Sequence, residues 1–325
     1  MSGLQLSRNE LLRAYGLMKT IRMFEDRVSA EMASGDIPGN THLYAGQEAS
    51  AVGICMNLTE TDRIASTHRG HGHCIAKGCD VDGMMAEIFG KETGICHGKG
   101  GSMHIADLSK GMLGANGIVG GSAPIACGAA LSAQVQGLNQ VSVAFSGDGA
   151  INQGTVAESM NLAQIWKLPV IFAVEDNGFG EATAKSFVVA GEIGNRAEAL
   201  GMATAKVDGV DFFAVYDAAH EAIERARDGG GPTLLHIETP RYYGHFSGDP
   251  DNYRSAEEKA AMRRERDCLV RFRQYVGEVN LLDAAALDAV DREVEVVVDA
   301  AVVAARAAPQ PALSALTTDV YVRYL

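Results

Sequence analysis

The sequence predicts an α/β protein: a doubly wound, mostly parallel sheet flanked by helices. Two observations carry that prediction. QVSVAFSGDG and PVIFAVE are apolar strand-like runs on either side of a helical stretch at 154–167. A strand, a helix and a strand in that spacing make a βαβ unit, with parallel strands and a right-handed crossover. The pattern recurs as ATAKVDG, a helix over 211–228 and PTLLHIET. Ligands of such folds bind beyond the carboxyl ends of the strands.

The elements follow in order. Ser7 and Glu10 have the S-x-x-E spacing of a capping box, and Leu11, Tyr15, Met18, Ile21, Val28 and Met32 recur at helical spacing up to Gly35 and Pro38. A second short helix fits Gln47 to Leu58, residues 62–67 read as a brief strand, and 80–89 as another helix. The stretch KETGICHGKGGSMHIADLSKGMLGANG, roughly 90–116, has no useful periodicity. A loop of that length inside a compact domain is usually functional. A small-residue helix (121–137) leads into the first βαβ strand, and a polar loop (240–255) follows the last. Helices near 255–275 and 283–306 close the chain. With no linker or repeat, residues 1–325 read as one α/β domain, with an N-terminal helical extension (about 7–60) and C-terminal helices (about 255–310).

Composition narrows the function. Lys plus Arg number 28 and Asp plus Glu 41, a net charge of −13. With no basic stripe, a nucleic-acid partner is not expected. Nor is a transmembrane helix, since no run of about 18 apolar residues occurs. The opening MSGLQLSRNELLRAYG lacks the basic-then-apolar order of a signal peptide, and six cysteines without a C-x-x-C suit reduced thiols in a cytoplasm. Fifteen of the 37 glycines fall between Gly90 and Gly154. Such a local excess marks backbone that turns tightly or lies against a ligand.

The chemistry concentrates at GDG. Asp148 follows a buried strand and precedes a helix expected to start near Ile151; Asn177, in EDNGFG, follows the next strand. Parallel neighbours put both at one sheet edge. A carboxylate, an amide carbonyl and a main-chain oxygen are hard ligands suited to Mg²⁺, whose other ligands are commonly phosphate and water. A helix N-terminus directs N–H groups at an anion, and Gly147 and Gly149 permit close backbone approach. The arrangement suits a Mg²⁺–diphosphate.

Two other readings weaken on inspection. GDGAINQG resembles a nicotinamide-binding fingerprint, but its third glycine comes one position late and the position about 20 residues on, where an acidic residue is wanted, falls in or just after the 154–167 helix and not at a strand end. Five of nine histidines lie between His68 and His104, yet no zinc-type C-x₂-C or H-x₃-H framework accompanies them. His71, His73, His97 and His104 are therefore read as structural, bonding to loop backbone.

Seven stretches together resemble the α subunit of the thiamine-diphosphate-dependent 2-oxo acid dehydrogenases: HLYAGQEAS, STHRGHGHCIAKG, GKGGSMHIAD, GANGIVGGSAP, SGDGAINQG, EDNGFGEAT and RYYGHFSGD. The likeness runs from about residue 7 to the end, and HRGHGHCIAKG and RYYGHF are most similar to acetoin dehydrogenase α chains. It implies the thiamine-diphosphate-binding fold of the diphosphate-binding type. It assigns Asp148, Asn177 and the Phe179 carbonyl to Mg²⁺. His68 and Arg69 are implied at the diphosphate, with Gly147, Gly149, Ala150 and Gly180 around it, and Gly117 and Val119 at the aminopyrimidine. His42 and His245 match active-site histidines. The resemblance further implies a β subunit of similar size in an α₂β₂ heterotetramer. It also implies a lipoyl-bearing dihydrolipoyl acetyltransferase, and acetoin as substrate with pyruvate the alternative. A non-catalytic scaffold subunit is a second alternative, supported only by one departure: Asp176 stands where the family usually has asparagine, which bears on Mg²⁺ affinity.

Overall fold

The computed structural model describes residues 6–321, so the first residues of the N-terminal stretch read for a signal lie outside it. Five strands form one parallel sheet: β1 (Arg63–Ala65), β2 (Ser142–Gly147), β3 (Val170–Asp176), β6 (Ala203–Asp208) and β7 (Thr233–Glu238), in the order β1-β2-β3-β7-β6. β4 (Phe179–Gly180) and β5 (Thr183–Ala184) make a separate antiparallel pair. The helices are α1 (Arg8–Ser34), α2 (Glu48–Cys55), α3 (His71–Lys77), α4 (Val81–Ile88), α5 (Ser122–Val135), α6 (Gly154–Trp166), α7 (Lys185–Val188), α8 (Ile193–Glu198), α9 (Phe212–Arg227), α10 (Ala256–Glu265), α11 (Cys268–Glu278) and α12 (Ala284–Ala307).

Strand alternation separates two cores. Val143, Phe145, Ile171, Ala173, Leu235 and Ile237 point to the side covered by α1, α2, α9, α11 and α12, where Tyr15, Phe24, Phe212 and Phe272 are buried. Ala144, Phe172, Val174 and Leu234 point to the other side, against alanine-rich α5 and α6. The faces follow from the order of crossovers. Steps β1→β2→β3 run one way across the sheet and place α5 and α6 on one face; β6→β7 runs back and places α9 on the other. The direction reverses beyond β3, so the strand ends there diverge into a crevice.

Most expected elements form where the sequence put them, and Ser7 and Glu10 make the expected capping box. Three points differ. α3 was not expected, because HGHCIAK lacks an apolar stripe; it forms because Gly72 lets it lie against Tyr44, where an added Cβ would sit 2.0 Å from the ring. The helix expected over 255–275 divides near Arg266, where Asp267 accepts the N–H groups of Leu269 and Val270 and starts a new helix. α6 begins at Gly154, as the 154–167 stretch predicts and not near Ile151, and Ala150–Asn152 form a single 3₁₀ turn ahead of it.

The aperiodic stretch is ordered by one carboxylate. Glu87, fully buried, accepts the N–H groups of Cys96, Gly98, Gly100 and Gly101 at 2.7–3.0 Å. Its far end runs beside β1: Ile64 donates to Gly111 O, and Leu113 donates back to Ile64 O. That alignment delivers Gly117–Val119 to the carboxyl edge of the sheet. All six cysteines are free, and no helix among the described residues is long and apolar enough to cross a membrane.

Candidate active site

A cavity of about 390 Å³ opens at that edge, and every expected site residue lines it. His68 and Arg69 follow β1. Gly147, Asp148, Gly149 and Ala150 end β2 and begin the 3₁₀ turn. Asn177, Phe179 and Gly180 follow β3. His245 follows β7, His42 precedes α2, and Gly117 and Val119 lie just before α5. The register explains the first meeting: Gly147 pairs with Glu175, so Asp148 and Asn177 leave adjacent strands almost side by side. The two turns then touch. A Cβ on Gly149 would sit 3.4 Å from the Gly180 Cα, whereas at Gly147 the same atom would meet nothing nearer than 4.0 Å, leaving room for a ligand.

One wall has an unmet demand for a cation. Asp148 is buried, its Oδ2 has no hydrogen-bond partner among the described residues, and burial together with the Asp176 carboxylate pushes its pKa up to about 6. Asn177 Oδ1 faces the Phe179 N–H at 3.3 Å, and its Nδ2 donates to Gln47. Oxygen donors around an orphaned buried carboxylate fit Mg²⁺.

A second part of the lining has an unmet demand for an anion. Arg69 and Arg241 are buried, and among the described residues neither forms an ion pair with a carboxylate. Arg69 donates to the carbonyls of Leu43 at 2.5 Å and His245 at 3.0 Å; burial, and the charge of Arg241, lower its pKa to about 9. Arg241 donates to Glu181 O and the Tyr253 hydroxyl, and its Nε and Nη1 have no partner. Unpaired buried guanidiniums of this kind suit the oxygens of a diphosphate. Arg241 was missed in the sequence reading. The signal available was an arginine opening the RYYGHF stretch, directly after a strand end.

Between the walls sit three imidazoles. The rings of His42, His68 and His245 lie 4.6–5.2 Å apart, centre to centre. Burial first, and then the Arg69 charge, lower their pKa values to about 3, 2 and 4 respectively, so all three are neutral at pH 7. His42 Nδ1 is buried without a partner, a proton acceptor or donor held in reserve. The loop carrying His245 is more braced than its polar sequence suggested. Asp249 accepts the His245 N–H and the Tyr253 hydroxyl at 2.6 Å, and Ser247 N–H reaches Thr41 O.

Two of the histidines read as structural bond differently from that expectation. His71 bonds the buried Glu25 carboxylate and Ser102, and His73 bonds Ser66 and Glu175, so their partners are side chains, not loop backbone. His73 also stacks on Phe145 beneath the cavity floor. Asp176 turns away from the cavity toward His236.

The dehydrogenase E1 component family model matches residues 17–314. The α subunit of acetoin:2,6-dichlorophenolindophenol oxidoreductase from Cupriavidus necator is 53% identical over 99% of this chain and 97% of its own length; that from Bacillus subtilis is 53% identical over 99% and 96%. The pyruvate dehydrogenase E1 α subunit of Rhizobium meliloti is 39% identical over 97% of this chain and 91% of its own. A family match across most of the chain, on a parallel sheet with one strand-edge cavity, establishes that the chain belongs to the dehydrogenase E1 component family of thiamine-diphosphate-dependent oxidoreductases.

Proposed function

We propose that this chain is the α subunit of a thiamine-diphosphate- and Mg²⁺-dependent acetoin dehydrogenase. It would cleave acetoin to acetaldehyde and an acetyl-level unit passed to the lipoyl arm of a dihydrolipoyl acetyltransferase. The observation that carries acetoin over pyruvate is the higher identity to acetoin-oxidising relatives, 53% against 39%.

Asp148, Asn177 and the Phe179 carbonyl would hold Mg²⁺, satisfying the orphaned Asp148 oxygen. Arg69, Arg241 and His68 would take the diphosphate with the backbone of Gly149 and Ala150, and Gly117 and Val119 the aminopyrimidine. When bound, the cofactor supplies the carbanion chemistry that breaks the carbon–carbon bond. This chain's task is proton management and exclusion of water. His42 or His245 accepts the proton of the substrate hydroxyl at a ring nitrogen, and the partnerless His42 Nδ1 is available for it. A diphosphate beside Arg69 offsets the charge that lowers these imidazoles, moving them back toward useful basicity. Val119 and Ile118 are exposed at the cavity rim, as befits a site closed by a second chain, and we assign that role to a β subunit in an α₂β₂ assembly. The free cysteines support a cytoplasmic setting.

The test is dye reduction by the α chain co-expressed with its β subunit, at saturating cofactor. We expect kcat/KM for acetoin to exceed that for pyruvate by more than about tenfold, ~1.4 kcal/mol of transition-state preference. The reverse preference would make the enzyme a pyruvate dehydrogenase. A folded complex that neither binds cofactor nor turns over would leave the scaffold reading.

A further inference from the structure

Asp176 is a second carboxylate at the metal-binding edge, one strand over from Asp148, and it is 4% exposed. Neighbouring strands lie about 4.8 Å apart, so an unrestrained Asp176 side chain is within reach of the same cation. It is restrained three ways. Oδ1 accepts the Gly178 N–H at 3.0 Å; Oδ2 accepts from His236 Nε2 at 2.7 Å and is ion-paired with the Lys185 ammonium. Lys185 stands at the base of the β4–β5 pair, and its own N–H donates to Gly178 O at 2.8 Å. Segment 177–184, which carries Asn177 and Phe179, is therefore closed at its base by one residue acting through both main chain and side chain. Neither Asp176 nor Lys185 lines the cavity.

We propose that Lys185 is a positioning residue: by neutralising Asp176 it holds that carboxylate away from the metal and fixes the turn that presents Asn177 and Phe179. The proposal rests on the Mg²⁺–diphosphate reading above. It also accounts for the acidic departure at 176, since a carboxylate beside a cation site is tolerable when a lysine claims it from the other side.

The experiment measures thiamine diphosphate binding to the α/β complex by titration calorimetry at saturating Mg²⁺, with the melting temperature of the cofactor-free complex as the fold readout. Lys185→Met should weaken binding at least tenfold while leaving the cofactor-free complex assembled. Lys185→Arg, which keeps the charge, should bind within threefold of wild type. The decisive variant is Asp176→Asn/Lys185→Met. Asparagine matches aspartate in shape and still accepts the Gly178 N–H, but no longer needs a counter-ion, so binding should return to within threefold of wild type. The double variant also carries the test if Lys185→Met fails to assemble. If Lys185→Met binds as wild type, the proposal is wrong. If the double variant stays as weak as Lys185→Met, the lysine does not act by neutralising Asp176 and the proposal is equally wrong. A folded wild-type complex that binds no thiamine diphosphate would instead overturn the underlying reading, and the clamp with it.

Discussion

The cavity's two walls carry opposite deficits. Among the described residues Asp148 on the strand-end wall has an oxygen without a partner, and Arg241 on the loop wall has two nitrogens without one. Buried opposite charges normally pair, because each left alone costs several kcal/mol of desolvation. Here they line one cavity without an ion pair between them, and burial moves each pKa toward the uncharged form: Asp148 up to about 6, Arg241 downward, and neighbouring Arg69 down to about 9. Two half-finished walls teach what completes them. A cation joined to an anion satisfies both at once, whereas either ion alone leaves one wall worse off. A metal–diphosphate has that form.

The comparison breaks most sharply at Asp148. Asp148→Ala removes the only carboxylate of the proposed metal set, and losing one partner of a buried charge contact costs about 3–5 kcal/mol. Thiamine diphosphate binding to the α/β complex should weaken by about two to four orders of magnitude in calorimetry with Mg²⁺ present. The cofactor-free complex should melt no lower than wild type, because an unsatisfied buried carboxylate has gone. A lower melting point would mean that Asp148 serves the fold rather than the metal.

The loop wall is next, and its two arginines should behave differently. Each charge-assisted hydrogen bond is worth about 1.5–3 kcal/mol, so either truncation to alanine should weaken cofactor binding by roughly 10- to 100-fold. Without cofactor they diverge. Arg69 ties the Leu43 and His245 carbonyls together, so Arg69→Ala should lower the melting temperature. Arg241 also bonds Glu181 O and the Tyr253 hydroxyl, but its Nε and Nη1 are unsatisfied among the described residues, so Arg241→Ala should lower it less. Arg241→Lys should not restore binding, since an ammonium cannot reproduce a planar fork. Equal melting shifts in the two variants would erase the distinction.

The two walls also differed in how much the sequence disclosed. Asp148 and Asn177 were legible because both sit at the ends of apolar runs, and a βαβ unit fixes where such ends meet. Strand periodicity is a local signal, and parallel register then does the rest. The loop wall is assembled from segments before α2 and just after β1 and β7, and whether those strand ends meet depends on strand order, which is not a local pattern. There only the family resemblance placed His42, His68, Arg69 and His245, and it was not followed as far as Arg241. The same limit hid α3 and the Glu87 anchor. Each depends on a distant partner, Tyr44 for Gly72 and a row of loop amides for Glu87, and periodicity does not report distant partners.

The smallest effect sharpens the comparison through pH. His42, His68 and His245 lie against the cationic wall, with folded-state pKa values far below the ordinary 6.5. A base whose pKa is depressed by folding contributes stability above its unfolded pKa and loses it as pH falls, because the unfolded chain takes up protons the folded one refuses. The cofactor-free complex should therefore lose stability from about pH 6.5 down toward 4. The slope is at most about 1.4 kcal/mol per pH unit for each histidine, and less for half-exposed His245. His42→Gln should gain melting temperature relative to wild type as pH drops from 7 to 5. Saturating thiamine diphosphate and Mg²⁺ should shrink that gain, because an anion beside Arg69 removes part of what depresses the imidazoles. Scanning fluorimetry at pH 7, 6 and 5, with and without cofactor, reads both effects. If the gain is identical in the two series, the diphosphate does not sit against Arg69, and the two walls are not bridged by one ligand.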